Sequence, residues 1–196
     1  GNAPNGGING ITSAGNTPLI NDQLTNLTFE TKVAEYTINP SANGCAGTSS
    51  VYQVFVDPAP DIQANPSNSV ICSGESTYIQ LTSSVNGATK KWRVEFPASS
   101  IQGATAGTGS IIEQSLINTS LQPQTATYYS WAEYNNCSSE EVAAQVVVNP
   151  VPIANADPIS QSLCSGQNMD TVHLSADVSG TIFSWNCTST SPDVTG

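Results

Sequence analysis

The chain has 196 residues, of which 10% are charged, with four basic against fifteen acidic side chains and a net charge of −11. So few cations exclude the basic footprint that nucleic acid requires, and they make an anionic membrane surface an unfavourable partner. No run of about 18 apolar residues is present to span a bilayer, so direct membrane insertion is not expected either.

Helix signals are almost absent. Thr, Val, Ile, Ser, Asn and Gly dominate, and 15 glycines with 12 prolines punctuate the chain at short intervals. In chain order, residues 1–60 carry the element Ile20-Asn21-Asp22-Gln23-Leu24-Thr25-Asn26, then Ala34 and Tyr36. They end on Gln53-Val54-Phe55-Val56 followed by Pro58-Ala59-Pro60. Next, Tyr78-Ile79-Gln80-Leu81-Thr82 alternates with period two, placing Ile79 and Leu81 inward. Lys91-Trp92-Arg93-Val94-Glu95-Phe96 alternates more sharply, with Trp92, Val94 and Phe96 on one side and the charges on the other. The segment from Ala126 to Tyr134 reads as a long aromatic strand, Asn135-Asn136-Cys137-Ser138-Ser139 as a hairpin loop, and Glu141 to Asn149 as the last strand before Pro150-Val151-Pro152. Short strands at regular spacing predict an all-β fold of sandwich type, with Trp92 filling the space between sheets.

These elements repeat. Cys45 and Cys137 are 92 residues apart, as are Cys72-Ser73-Gly74 and Cys164-Ser165-Gly166. Gly15, Ile20, Leu24, Asn26, Ala34 and Tyr36 recur as Gly107, Ile112, Leu116, Asn118, Ala126 and Tyr128. After one inserted residue, Leu81, Val85, Gly87 and Trp92 recur as Leu174, Val178, Gly180 and Trp185, which assigns Trp185 the same core role as Trp92. The period is too long for a solenoid and matches a whole small domain. Three segments follow: 1–60 as the C-terminal part of one sandwich, 61–152 as a complete unit, and 153–196 as the N-terminal part of the next. Half a sandwich cannot cover its own apolar face. The flanking halves are therefore expected to be completed by further chain or by another chain. The absence of an initiator Met and of a signal peptide fits a mature or excised fragment of a longer polymer. Each Pro-x-Pro ends a ladder and stiffens its junction toward an extended form, which predicts a semi-rigid array.

Cys72 and Cys137 are the two cysteines of the complete unit, and their joint recurrence reads as an oxidised pair. The alternative is that all five cysteines are thiols. Cys187, whose counterpart is Val94, has Cys164 as an optional partner. Spacing alone leaves connectivity open. No C-x-x-C or Cys/His cluster points to a structural metal.

The ordered set of Cys-Ser-Gly, Trp, Ile112-x-x-x-Leu116-x-Asn118, Tyr, Cys and terminal Val-x-Pro-x-Pro resembles the PKD-like and Ig-like repeats of very large secreted proteins of the Bacteroidota. The Trp-Asp-Phe-Gly-Asp-Gly run of polycystin-type PKD domains is absent, since Arg93-Val94-Glu95 follows Trp92. The resemblance implies tandem β-sandwich modules in a giant cell-surface adhesin of the gliding-motility type, exported by type IX secretion and located outside the cell. It implies no catalysis. Implied partners are neighbouring repeats, surface glycans and other cell-surface proteins. Two alternatives stand beside it: accessory spacer or glycan-binding modules of a secreted polysaccharide-degrading enzyme, and a self-assembling filament subunit whose half-modules complete each other between chains.

No catalytic constellation is visible. His173, the single histidine, has Gln80 as its counterpart and reads as a solvated strand residue. Calcium is the one cofactor with candidate ligands, namely Glu140, Glu141, Asp57, Asp61 and Asp157. The repeat replaces Asp57 by Asn149 and Asp61 by Ile153, so no cage is preserved and no cofactor is expected. Lys90, Lys91 and Arg93 read as a solvated strand face, with an acidic glycan or module as the alternative contact. Asp170-Thr171-Val172 resembles the O-glycosylation motif of Bacteroidota, which makes Thr171 a candidate glycan site. Asn26 and Asn118 begin N-x-Thr/Ser sequons, but their recurrence points to a structural turn.

Overall fold

The computed structural model describes residues 6–96 and 99–188, and the described residues contain strands and no helix. The fold is all-β and Ig-like. Within 61–152 the larger sheet runs in the order Gly107–Thr108, Thr89–Glu95, Gln124–Tyr134, Val142–Asn149, Asn68–Cys72. Its last pairing is parallel, with Cys72 opposite Asn149, whereas the others are antiparallel. A smaller sheet of Ile111–Ile112, Ile79–Thr82 and Gln63–Asn65 lies across the core from it. The chain enters through Gln63–Asn65 in the small sheet, turns at Pro66 after a cis peptide bond, and continues as Asn68–Cys72 on the edge of the large one.

The core follows from alternation. Ile79 and Leu81 point inward from the small sheet; Ala126, Tyr128, Ala132, Ala144, Val146 and Val148 point inward from the large one. Trp92 bridges the two and is 7% exposed. The expected strands are present with small shifts, the aromatic one extending over Gln124–Tyr134. Phe96 differs: it lies beyond the strand Thr89–Glu95 and is exposed, because the ladder ends one residue earlier.

The flanking segments hold pieces of the same design. Lys32–Ile38 pairs with Ser50–Val56 in the register that Gln124–Tyr134 and Val142–Asn149 use, since Tyr36 faces Tyr52 where Tyr128 faces Ala144. Ala154–Asp157 pairs with His173–Ala176 as Gln63–Asn65 pairs with Ile79–Thr82. Neither piece meets its other half. Ile112 is fully buried, whereas its counterpart Ile20 is 52% exposed.

Trp185 therefore departs from expectation. It is 82% exposed, not a core residue. The physical reason lies in what covers Trp92: Gly107 and the long strand Gln124–Tyr134 pack against that indole and pair with its strand, and residues 153–188 contain no equivalent.

Candidate functional site

The repeated residues build three scaffold features. The first surrounds Trp92. Its indole Nε1–H donates to Thr105 O at 3.0 Å, which satisfies the one polar atom of a buried ring. Gly107 lies so close that a Cβ there would stand 2.5 Å from the indole ring. Its counterpart Gly15 has open space around it, consistent with an indole slot that is unfilled in the first segment.

The second feature is an asparagine clamp. Asn118 Nδ2 donates to Gln122 O and Val148 O, both at 2.8 Å, and its Oδ1 accepts from Ser120 N and Ser120 Oγ at 2.8 Å. Asn26 repeats the network on Glu30 O, Val56 O and Thr28. The amide thus ties a turn to the last strand of each unit, as the recurrence predicts. Both amide hydrogens of Asn118 are used, so a glycan on that nitrogen would break the clamp.

A tether that sequence reading missed accompanies it. Tyr128 Oη donates to Gln114 Oε1 at 2.9 Å, and Tyr36 Oη donates to Asp22 Oδ2 at 2.7 Å. Gln114 and Asp22 occupy the same repeat position, but their types differ, so the recurrence does not reveal them. Burial pushes the Tyr128 phenol up to about 12; burial followed by the Asp22 carboxylate does the same for Tyr36.

The third feature is the junction at 57–62. Pro58 and Pro60 are buried. Asp57 accepts from Thr31 Oγ1 at 2.6 Å, and the side chain of Asn135, in the hairpin Asn135–Ser139, lies near enough to act with it; Thr31 first, then Asn135, they lower its pKa. Asp61 accepts from Ser84 N at 2.6 Å and Ser84 Oγ at 2.8 Å, with Ser83 Oγ at 3.2 Å, and the Ser84 backbone bond leads in lowering its pKa. A shallow cleft lined by Pro60, Asp61, Ile62, Ser139, Glu140 and Val142 lies beside them. The hairpin is shaped by Asn135, at φ 50, matching Asn43 at φ 52 in the first segment. Asn tolerates this left-handed region better than most residues.

Of the carboxylates weighed for calcium, Asp61 and Glu140 line one cleft, without a third. Asp57 and Asp61 are held as above, Glu141 is held by Arg93, and no cluster of metal-ligating side chains occurs among the described residues. Lys91 pairs with Glu133 at 2.6 Å, and Arg93 pairs with Glu141 at 2.9 Å and with Glu95 while lying 4.2 Å above the Tyr129 ring. These pairs lower the Glu133 and Glu141 carboxyls. The basic cluster is thus engaged along a strand face. His173 is exposed in a strand opposite Asp157, and Thr171 is exposed just before that strand.

The expected Cys72–Cys137 pair is corrected. No two of the five cysteines are joined within the chain. Cys72 stands beside Asn149, at the Gln124 end of the long strand, whereas Cys137 pairs with Tyr134 at the other end. Those ends are ten residues apart in one strand, or about 30 Å at the usual rise. A disulfide needs Cα atoms within about 7 Å. Cys164 and Cys187 are likewise separate and exposed.

The profile of the PKD-like domain matches the chain over residues 2–60 and again over 69–152. The chain belongs to the PKD-like domain family. The two PKD-like matches end at Pro60 and Pro152, and domains of this family are typically non-catalytic modules. No curated protein matches the chain.

Proposed function

We propose that this chain is a structural and adhesive stalk segment of a large repetitive bacterial cell-surface protein, exported and displayed outside the cell, as in the adhesins of gliding motility. It comprises 1–60 as the C-terminal part of one PKD-like module, 61–152 as a complete module and 153–196 as the N-terminal part of the next. The observation that supports the reading is the junction, where Pro58 and Pro60 are buried and the Asn135 side chain comes close to the Asp57 carboxylate. Together with a core repeated unit by unit, this suits a part that bears and transmits force. Surface glycans or other surface proteins are the partners such a stalk would meet, and Thr171 is its candidate glycan acceptor. Immunogold labelling of intact cells with antibody against residues 61–152 tests the reading. Labelled projections support it; recovery of the protein only from the cytosol overturns it. An unmodified Thr171 peptide from natively purified protein removes the glycan.

The open halves favour a second reading, a filament formed between copies. Gly15, Ile20, Asp22 and Tyr36 line an open trough at the positions which, in 61–152, face Trp92 and the strand Ile79–Thr82. The exposed Trp185 and Leu174 of a second copy are the counterparts that fill it. Light scattering of the chain decides this: concentration-dependent growth supports it, and a persistent monomer removes it.

A further inference from the structure

Two cysteines recur in register yet cannot meet inside a unit. Their placement points elsewhere. Cys72 lies beside Asn149, at the end where the chain leaves the unit. Cys137 closes a hairpin at the opposite end, where Pro60, Asp61 and Ile62 enter beside Ser139 and Glu140. In a tandem array, the exit end of one unit faces the entry end of the next.

The junction at 57–62 shows how these ends meet. Asp57 is the counterpart of Asn149 at the shift of 92; Pro60, three residues on, lines a cleft with Ser139 of the hairpin that holds Cys137, and the Asn135 side chain of that hairpin comes close enough to Asp57 to help lower its pKa. Carried along the repeat, these two observations flank one position from two directions. The Cys-Ser-Gly cysteine of its own unit lies on the neighbouring strand, about 4.8 Å away. The hairpin of the following unit approaches its side chain. Asn149 keeps a side-chain carbonyl oxygen for the same approach.

We propose that the repeated cysteines form disulfides across module junctions: the Cys-Ser-Gly cysteine of one unit bonds to the hairpin cysteine of the unit that follows. Cys72 and Cys164 hold the first role, Cys45 and Cys137 the second. Each bond forms as two thiols give up two protons and two electrons to a low-molecular-weight disulfide, such as glutathione disulfide, which leaves as two thiols. Cys72 is exposed and Cys137 half-buried, so both are open to such an oxidant. The bond would staple successive modules at the point where force passes between them. It explains why both cysteines keep the period although neither packs into a core. This inference rests on the array reading of the preceding subsection.

The test uses the chain with a second copy of residues 61–152 inserted after Pro152, which preserves the Pro-x-Pro spacing. Cys45→Ser, Cys164→Ser and Cys187→Ser remove the other thiols. One variant keeps Cys72 of the first copy and Cys137 of the second. A mirror variant keeps Cys137 of the first and Cys72 of the second, and a third keeps both cysteines of the first copy. Each is equilibrated with a glutathione redox buffer, isolated as monomer, and its alkylatable thiols are counted by intact mass. The junction variant is expected to lose both thiols and the other two to keep both. Two free thiols in the junction variant, or closure of either other variant, overturns the proposal. That result would leave the surface location, read by cell labelling, standing.

Discussion

Replacing Trp92 and Trp185 by alanine, one at a time, compares the same side chain at the same repeat position in two environments. Trp92 is 7% exposed, packed on Gly107 and tied to Thr105 O, whereas Trp185 is 82% exposed. Removing a buried indole costs about 3–5 kcal/mol through lost transfer energy and the cavity left behind. The hydrogen bond to Thr105 adds about 1 kcal/mol, which places Trp92→Ala toward the upper end of that range. Exposed substitutions stay within about 0.5 kcal/mol. With a urea slope of about 1–1.5 kcal/mol per molar for a unit of this size, Trp92→Ala should lower the midpoint of the main transition by at least about 2 M. Trp185→Ala should leave that midpoint in place. Unfolding followed by far-UV circular dichroism keeps the readout independent of the indoles. Equal losses for the two variants, or a loss below about 1 kcal/mol for Trp92→Ala, would refute the assignment of the core to 61–152.

Three further outcomes follow from local geometry. Gly107→Ala forces a methyl to within 2.5 Å of the indole, so it should destabilise by about 1–3 kcal/mol, while Gly15→Ala, with nothing within 4 Å, should not; thermal melts compare them. Asn118→Ala deletes four hydrogen bonds and leaves Val148 O without its side-chain donor, a loss of about 2–4 kcal/mol measurable by urea titration. The folded pKa of Asp61 is depressed by Ser84 and Ser83. Its contribution is therefore present above the unfolded carboxyl value near 3.8 and is lost as pH falls through the folded value. Asp61→Asn should flatten the acid limb of the stability profile, and an unchanged limb in melts between neutral and acid pH would contradict that assignment.

Much of the fold was legible because the same physics is written twice. Ile79 and Leu81, the Asn118 clamp and Trp92 stand out through alternation and recurrence together. The cysteine pairing was not, because recurrence says that two residues share a role and is silent about which end of a strand each occupies. Only the register of Asn68–Cys72 against Val142–Asn149 separates them. Trp185 shows the complementary limit. Its type matches Trp92, but burial belongs to the covering sheet, and 153–188 contains no such sheet. The contact between Asp57 and Asn135 is hidden in the sequence because Asp57 becomes Asn149 in the next unit, so a change of residue type masks a shared position.

The central claim is that residues 61–152 form a self-contained PKD-like module within an array. Expressing 61–152 alone and comparing its thermal unfolding with that of the same segment in the whole chain tests it most directly. The account predicts one cooperative transition at nearly the same temperature, lowered only by loss of the Asp57 contact. An unfolded or non-cooperative 61–152 would contradict it.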